Sequence, residues 1–367
     1  MVLHREIVVA TEKVMLSARI GLISFLIGGL LLPSVVLSQS PAPSQAPATA
    51  ALAFTAPDTE SALAKEAAAR GAMLMQTGKY PDMDGSGPYP ATYAMAPNGM
   101  EDVVYEPKDL AQVKGKLGVY IWGNGACGYD ATSARFHLIE IASRGYVAIA
   151  PGEIESGPKA PKTATDASPQ AGSDKRATPE KMLAALDWIL AENQRESSPY
   201  FGKIDPSLVA FSGHSCGGLI AMKAALDPRA KVLVLENSGL FRQPVGGVAA
   251  NDKMAAVVKL LSQMKKEDLV QLHTPVLYIL GGPQDMAEPN GLDDFQHIQH
   301  VPVFVADHPG AGHGGLFSEP NGEGTKVELD WLAWQLHQDR VAARTFTGPD
   351  CVLCRDFRWV VYRKGIE

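Results

Sequence analysis

The sequence predicts an α/β fold, with a mostly parallel sheet and helices packed on both faces. Three observations carry this. From Leu117 onward, short β-branched and apolar runs alternate with stretches of helical spacing, the order that successive βαβ units produce. Apolar residues make up 46 % of the 367 residues, enough for a sizeable core. The run Leu208-Val-Ala-Phe-Ser-Gly-His-Ser-Cys-Gly-Gly218 reads as a strand, a sharp turn and a helix, with a serine at the apex of the turn.

Taken in order, the chain opens on a segment outside that fold. Ile20 to Leu32 is uncharged and apolar, follows Arg5, Lys13 and Arg19, and ends in Pro33-Ser-Val-Val-Leu-Ser38. This predicts an export signal over 1–38, cut after Ser38. The competing reading is an uncleaved anchor, because Ile20 to Leu37 approaches the roughly 18 apolar residues of a spanning helix. The positive region is long enough for Met15 to be the true start. Residues 39–58, rich in Pro, Ala, Ser and Thr, read as a flexible spacer. The α/β domain is then expected over 59–345, and a short extension carrying Cys351-x-x-Cys354 and a strand covers 346–367.

Within the domain, Thr59 to Met75 has helical spacing. Two strands, Ala91 to Met95 and Asp102 to Glu106, are joined through Pro97-Asn-Gly99 and predict an antiparallel edge to a mixed sheet. Leu117 to Trp122 is a buried strand, Ala131 to Arg144 a helix, and Tyr146 to Ala150 the next strand. Thr178 caps a helix with Pro179 at its first position, running to about Glu192. After the serine turn come a strand (Lys231 to Leu235), a helix (Ala249 to Met264) and a strand (Pro275 to Leu280). A short helix (Asp294 to Gln299), the last core strand (Val301 to Ala306) and an amphipathic helix (Val327 to Gln338) follow.

In such a sheet, chemistry collects where strands end. Ser215 stands at a strand–helix turn with Gly213 and Gly217 on either side. Asp285 lies a few residues past the strand ending at Leu280. His313 sits in the glycine-rich Pro309-Gly-Ala-Gly-His-Gly-Gly315 that follows the last core strand. A serine, an acid and a histidine in that order supply a nucleophile, its base and the group that orients the base. His308 is the alternative histidine; Glu236, Asp293 and Asp294 are the competing acids. The N–H of Cys216 and that of Asn124, in Trp122-Gly-Asn-Gly-Ala-Cys-Gly128, are the expected oxyanion donors, with Ala126 the next choice.

The elbow, the ordered triad and the oxyanion loop resemble the α/β-hydrolase superfamily over roughly Tyr105 to Arg340. Within it, Trp122-Gly-Asn-Gly125, Gly213-His-Ser-Cys-Gly-Gly218 and Gly312-His-Gly-Gly315 resemble secreted hydrolases near the dienelactone-hydrolase-like and polyester-hydrolase (cutinase-like) branches. The tail Gly348-Pro-Asp-Cys-Val-Leu-Cys-Arg355 with Trp359 to Arg363 resembles the C-terminal extension of that group. The chain departs from dienelactone hydrolases, whose nucleophile is cysteine, and from cutinase-like enzymes, whose oxyanion loop has an aromatic-Gly pair. The resemblance implies a serine carboxylesterase working through an acyl-enzyme. A polymeric ester, an amide or peptide bond, and a silent binding protein are the alternatives.

Four cysteines in an exported chain suggest two disulfides. Cys351 with Cys354 would close a short turn, and Cys127 with Cys216 would tie the two oxyanion segments; two buried free thiols are the other possibility. Trp122, Tyr129 and Phe241 are expected apolar substrate contacts. Glu153 to Thr178 is expected to rim the cleft, and Phe241 to Met264 to cap it. No cofactor is expected, since no metal-ligand cluster or nucleotide loop has the right spacing. A net charge of −7 disfavours nucleic acid as a partner. The expected location is the periplasm or the exterior, with an ester as the partner and no membrane span after cleavage.

Overall fold

The computed structural model describes residues 81–97, 100–161, 175–242, 264–314, 316–317 and 319–367, all within the unit that begins at Ala56. The expected signal, spacer and first helix therefore lie outside the described residues, as does most of the helix expected at Ala249 to Met264. Among the described residues the strands are β1 (Ala91–Met95), β2 (Asp102–Pro107), β3 (Leu117–Gly123), β4 (Tyr146–Pro151), β5 (Ile204–His214), β6 (Val232–Glu236), β7 (Val276–Leu280), β8 (Val303–Asp307) and β9 (Val360–Lys364). They form one sheet in the order β1-β2-β4-β3-β5-β6-β7-β8-β9. Strands β3 to β8 run parallel, and β1, β2 and β9 pair antiparallel at the two edges.

Helices α1 (Arg135–Ser143), α2 (Pro179–Glu192), α3 (Cys216–Ala224), α4 (Glu288–His297) and α5 (Glu323–His337) flank the sheet, and two short helices, α6 (Arg340–Ala343) and α7 (Val352–Arg355), precede β9. Two cores result, because alternate residues of a strand face opposite sides. Val119 and Ile121 join Met182, Leu186 and Ile189 of α2 and Ile220 of α3 on one face. Tyr120 and Trp122 join Leu138 of α1 and Trp331 of α5 on the other.

The boundaries move where side chains redirect the backbone. Helix α1 starts at Arg135 instead of Ala131, because Asp130 Oδ1 accepts from the Thr132 N–H at 2.9 Å and its hydroxyl at 2.7 Å. That side-chain turn holds the segment out of the helix. Helix α4 starts at Glu288, six residues ahead of expectation. Pro289, a helix breaker in mid-helix, lies in the first turn, where its missing N–H has no acceptor to lose. Helix α2 begins where expected, and Thr178 Oγ1 accepts from the Lys181 N–H at 3.3 Å. Among the described residues no helix is long and apolar enough to cross a membrane.

Candidate active site

The chain leaves β3 for β4 on one side and returns to β5 on the other, so a crevice opens at the carboxyl ends of β3 and β5. Gly123 and His214 end those strands, and Ser215 follows His214 directly. Its backbone has φ 55° and ψ −122°, a region that non-glycine residues rarely adopt. Several close approaches hold it there. The Ser215 N–H donates to the Glu236 carbonyl at 2.9 Å, and the Ser238 hydroxyl donates to the Ser215 carbonyl at 2.8 Å. A Cβ on Gly217 would stand 2.0 Å from the Gly123 carbonyl oxygen, so glycine is required where the turn meets the loop after β3.

The three residues expected from strand-end positions come together. His313 Nε2 lies 2.9 Å from Ser215 Oγ, and His313 Nδ1 lies 2.6 Å from Asp285 Oδ1. Asp285 is buried, and each oxygen is accounted for. Oδ1 also accepts from the Ala287 N–H at 2.9 Å; Oδ2 accepts from Asn237 Nδ2 at 2.6 Å and the Gly281 N–H at 3.2 Å. The His313 ring packs on His214, centroids 4.8 Å apart, and His214 packs on Phe317. Chemically, this series can draw a proton from the serine hydroxyl while a fixed carboxylate supports the resulting imidazolium.

The competing residues are engaged elsewhere. His308 faces Glu323 at 3.4 Å and meets Trp359 edge-on. Asp294 accepts from the Leu240 N–H, the Tyr278 hydroxyl and Lys266, while Asp293 pairs with Lys266 at 2.7 Å.

The loop after β3 is joined to the serine turn by the Cys127–Cys216 disulfide, with Cα atoms 5.2 Å apart. Cys351 and Cys354 form the second bridge. Cys216 is the first residue of α3, so its N–H has no acceptor within the helix. The Asn124 side chain donates to the carbonyls of Pro151 at 2.8 Å and Gly128 at 3.2 Å, fixing the loop. Ala126 and Cys127 both take positive φ, 57° and 49°, conformations that the same loop must hold.

Two expected substrate contacts are corrected. Trp122 is 0 % exposed and packs among Tyr120, His137 and Phe317, which leaves it no surface to offer. Tyr129 is buried too; its hydroxyl donates to Glu101, and the ammonium groups of Lys175 and Lys181 sit over its ring. Phe241 is 41 % exposed. Residues 162–174 of the expected rim and 243–263 of the expected cap lie outside the described residues.

Sequence reasoning missed a buried cluster behind the serine turn. Ligand-type atoms of His137, Glu236 and Glu328 lie within 4.8 Å of one another, the kind of grouping that could hold a metal ion. Hydroxyls already meet both imidazole nitrogens: Tyr120 Oη is 2.8 Å from Nε2 and Thr325 Oγ1 is 3.0 Å from Nδ1. Tyr120 then donates to Glu328 at 2.9 Å. Burial, with the neighbouring Glu328 carboxyl, holds Glu236 far above the ordinary carboxyl range, and burial raises Glu328 as well. Among the described residues both Glu236 oxygens and Glu328 Oε2 have no hydrogen-bond partner, so the buried, like-charged pair disfavours ionisation. No local pattern announces this cluster, because its members come from α1, the end of β6 and α5.

Compared with known protein families, the chain matches no family model, and no curated protein matches it either.

Proposed function

We propose that this chain is an exported serine hydrolase of the α/β-hydrolase type, cleaving a carboxylic ester through an acyl-enzyme. One observation carries the reading: Ser215 is held at positive φ on a strand–helix turn, with His313 at 2.9 Å and Asp285 behind it at 2.6 Å. A solvated histidine or a structural serine has no need of that three-residue series on a strained turn.

In this reading Ser215 Oγ attacks the ester carbonyl as His313 Nε2 takes its proton. The oxyanion accepts hydrogen bonds from the N–H groups of Cys216 and Asn124. The C–O bond to the alcohol breaks, and His313 returns the proton to the departing oxygen. Water, deprotonated by the same nitrogen, then attacks the acyl carbon; the bond from that carbon to Ser215 Oγ breaks, His313 returns the proton to Oγ, and the acid leaves. Asp285 fixes the imidazole tautomer through Nδ1. Phe241 is the remaining candidate for an apolar contact. The two disulfides suit an oxidising compartment, in line with the apolar run expected to direct export.

The test is covalent labelling by a fluorophosphonate, together with turnover of p-nitrophenyl esters from acetyl to lauroyl. The wild type should label at Ser215 and hydrolyse the esters, while Ser215→Ala should lose turnover by about 10⁴-fold or more. Preference for long acyl chains or suspended polyester would move the substrate to a polymeric ester, and turnover of anilides would move it to amides. A wild type that neither labels nor turns over sinks the proposal.

A further inference from the structure

Three consecutive residues at the end of β6 reach the site, and none of them was a candidate for its chemistry except Glu236. The Glu236 carbonyl holds the Ser215 N–H, and the Ser238 hydroxyl holds the Ser215 carbonyl. Between them, Asn237 is 0 % exposed and takes φ 45°, a left-handed conformation fixed by its own N–H donating to the Ile279 carbonyl at 2.8 Å. That conformation turns the side-chain amide toward Asp285. Nδ2 donates to Asp285 Oδ2 at 2.6 Å and to the Gly312 carbonyl at 3.1 Å. Both neighbours are acceptors, so the NH₂ end must face them. Among the described residues Oδ1 accepts nothing, so the side chain is retained there for its donors.

We infer that Asn237 is a positioning residue for the hydrolytic reaction. It fixes the carboxylate of Asp285 toward His313 and, through Gly312, the backbone that delivers His313 to Ser215. This deepens the esterase reading and rests on it. The carboxylate has two edges. One meets His313 Nδ1; the other would keep only the Gly281 N–H at 3.2 Å if the amide were absent. A carboxylate free to turn would lose its line with Nδ1, and with it the imidazole orientation that proton transfer requires.

The titratable groups around this amide are Asp285 and His313, with Asp307 and Glu288 close to Asp285. Burial and the neighbouring carboxylates hold both Asp307 and Glu288 above the ordinary range. A carboxyl introduced by Asn237→Asp would share that negative surrounding. Protonated, it can donate to Asp285 as the amide does; ionised, it repels Asp285.

The experiment compares the pH profiles of full-length wild type, Asn237→Asp and Asn237→Ala with a p-nitrophenyl ester, with fluorophosphonate labelling alongside. Asn237→Ala should lower kcat by about 10- to 100-fold with KM within about twofold, and slow labelling in proportion. For Asn237→Asp, the ratio of its kcat to that of wild type should fall steadily from acid to alkaline pH. If the alanine variant does not fold, the near-isosteric aspartate variant carries the test alone. An active wild type beside a folded Asn237→Asp with a constant ratio at every pH overturns this inference and leaves the esterase reading intact. A wild type with neither turnover nor labelling overturns the esterase reading, and the inference with it.

Discussion

Gly217 sets the distance between the Ser215 turn and the loop after β3, whose Asn124 N–H is a proposed oxyanion donor. Its missing side chain is replaced by backbone on the facing segment, with the Gly123 carbonyl oxygen 2.0 Å and the Asn124 carbonyl oxygen 2.6 Å from where a Cβ would be. Neither is the end of a flexible side chain, so only backbone movement could relieve the clash. Gly217→Ala should therefore lower kcat by about 100-fold and stability by roughly 1–3 kcal/mol, measured by ester turnover and denaturant unfolding. Unchanged kcat would show that the spacing of the two segments does not matter to the reaction. At this scale the sequence was informative where a position is set locally. Ser215, Asp285 and His313 each follow a strand end, a position that periodicity reveals. Trp122 lies inside β3 and Tyr129 beyond its end, and spacing does not reveal their burial, because it depends on Phe317 and on Glu101 and two lysines, all distant in the chain. Asn237 escaped notice for the same reason: its partners lie 48 and 75 residues further on.

The two disulfides differ as elements of the fold. Cys127–Cys216 closes a separation of 89 residues and joins the loop after β3 to the first turn of α3; Cys351–Cys354 spans 3 residues within the tail. Loop-closure entropy makes the long bridge worth about 4–5 kcal/mol at most, and the short one much less. Replacing Cys127 and Cys216 together by serine should lower the unfolding midpoint and reduce kcat by about tenfold with KM little changed, since the donors stay in place but lose their tie. Replacing Cys351 and Cys354 together should leave kcat as it is. Steady-state kinetics with and without a thiol reductant tests both: the reductant should slow the wild type and leave the Cys127/Cys216 variant unmoved. The helix boundaries teach a related lesson. Thr178 and Pro179 mark the start of α2 plainly, whereas the side-chain turn at Asp130 and the proline in the first turn of α4 mislead a reading by spacing alone.

Across the whole molecule, the buried cluster of His137, Glu236 and Glu328 ties stability to pH with opposing signs. Both carboxyls are raised, so their contribution is full below the unfolded value of about 4.3 and is lost as pH rises through the folded values. Burial pushes His137 down to about 3, so its contribution is full above the unfolded value of about 6.5 and is lost as pH falls. Between those two unfolded values the effects oppose each other. Above about pH 6.5 the histidine is neutral folded or unfolded, and the carboxyls alone remain. The urea midpoint of the wild type should therefore drop as pH rises from there, and Glu328→Gln should flatten the decline. An identical slope in both proteins would exclude the buried Glu328 carboxyl as the source of the decline.

The antiparallel pairing of β9 with β8 sets an order of completion. Val360 lies opposite Asp307, the last residue of the strand from which the loop carrying His313 departs. A ribosome has released the serine and the aspartate long before it releases the neighbour that covers that strand. During synthesis Ser215 is thus made first and the strand leading to His313 is braced last, so a chain stopped short of Val360 carries Ser215 on a sheet whose histidine side is still unfinished.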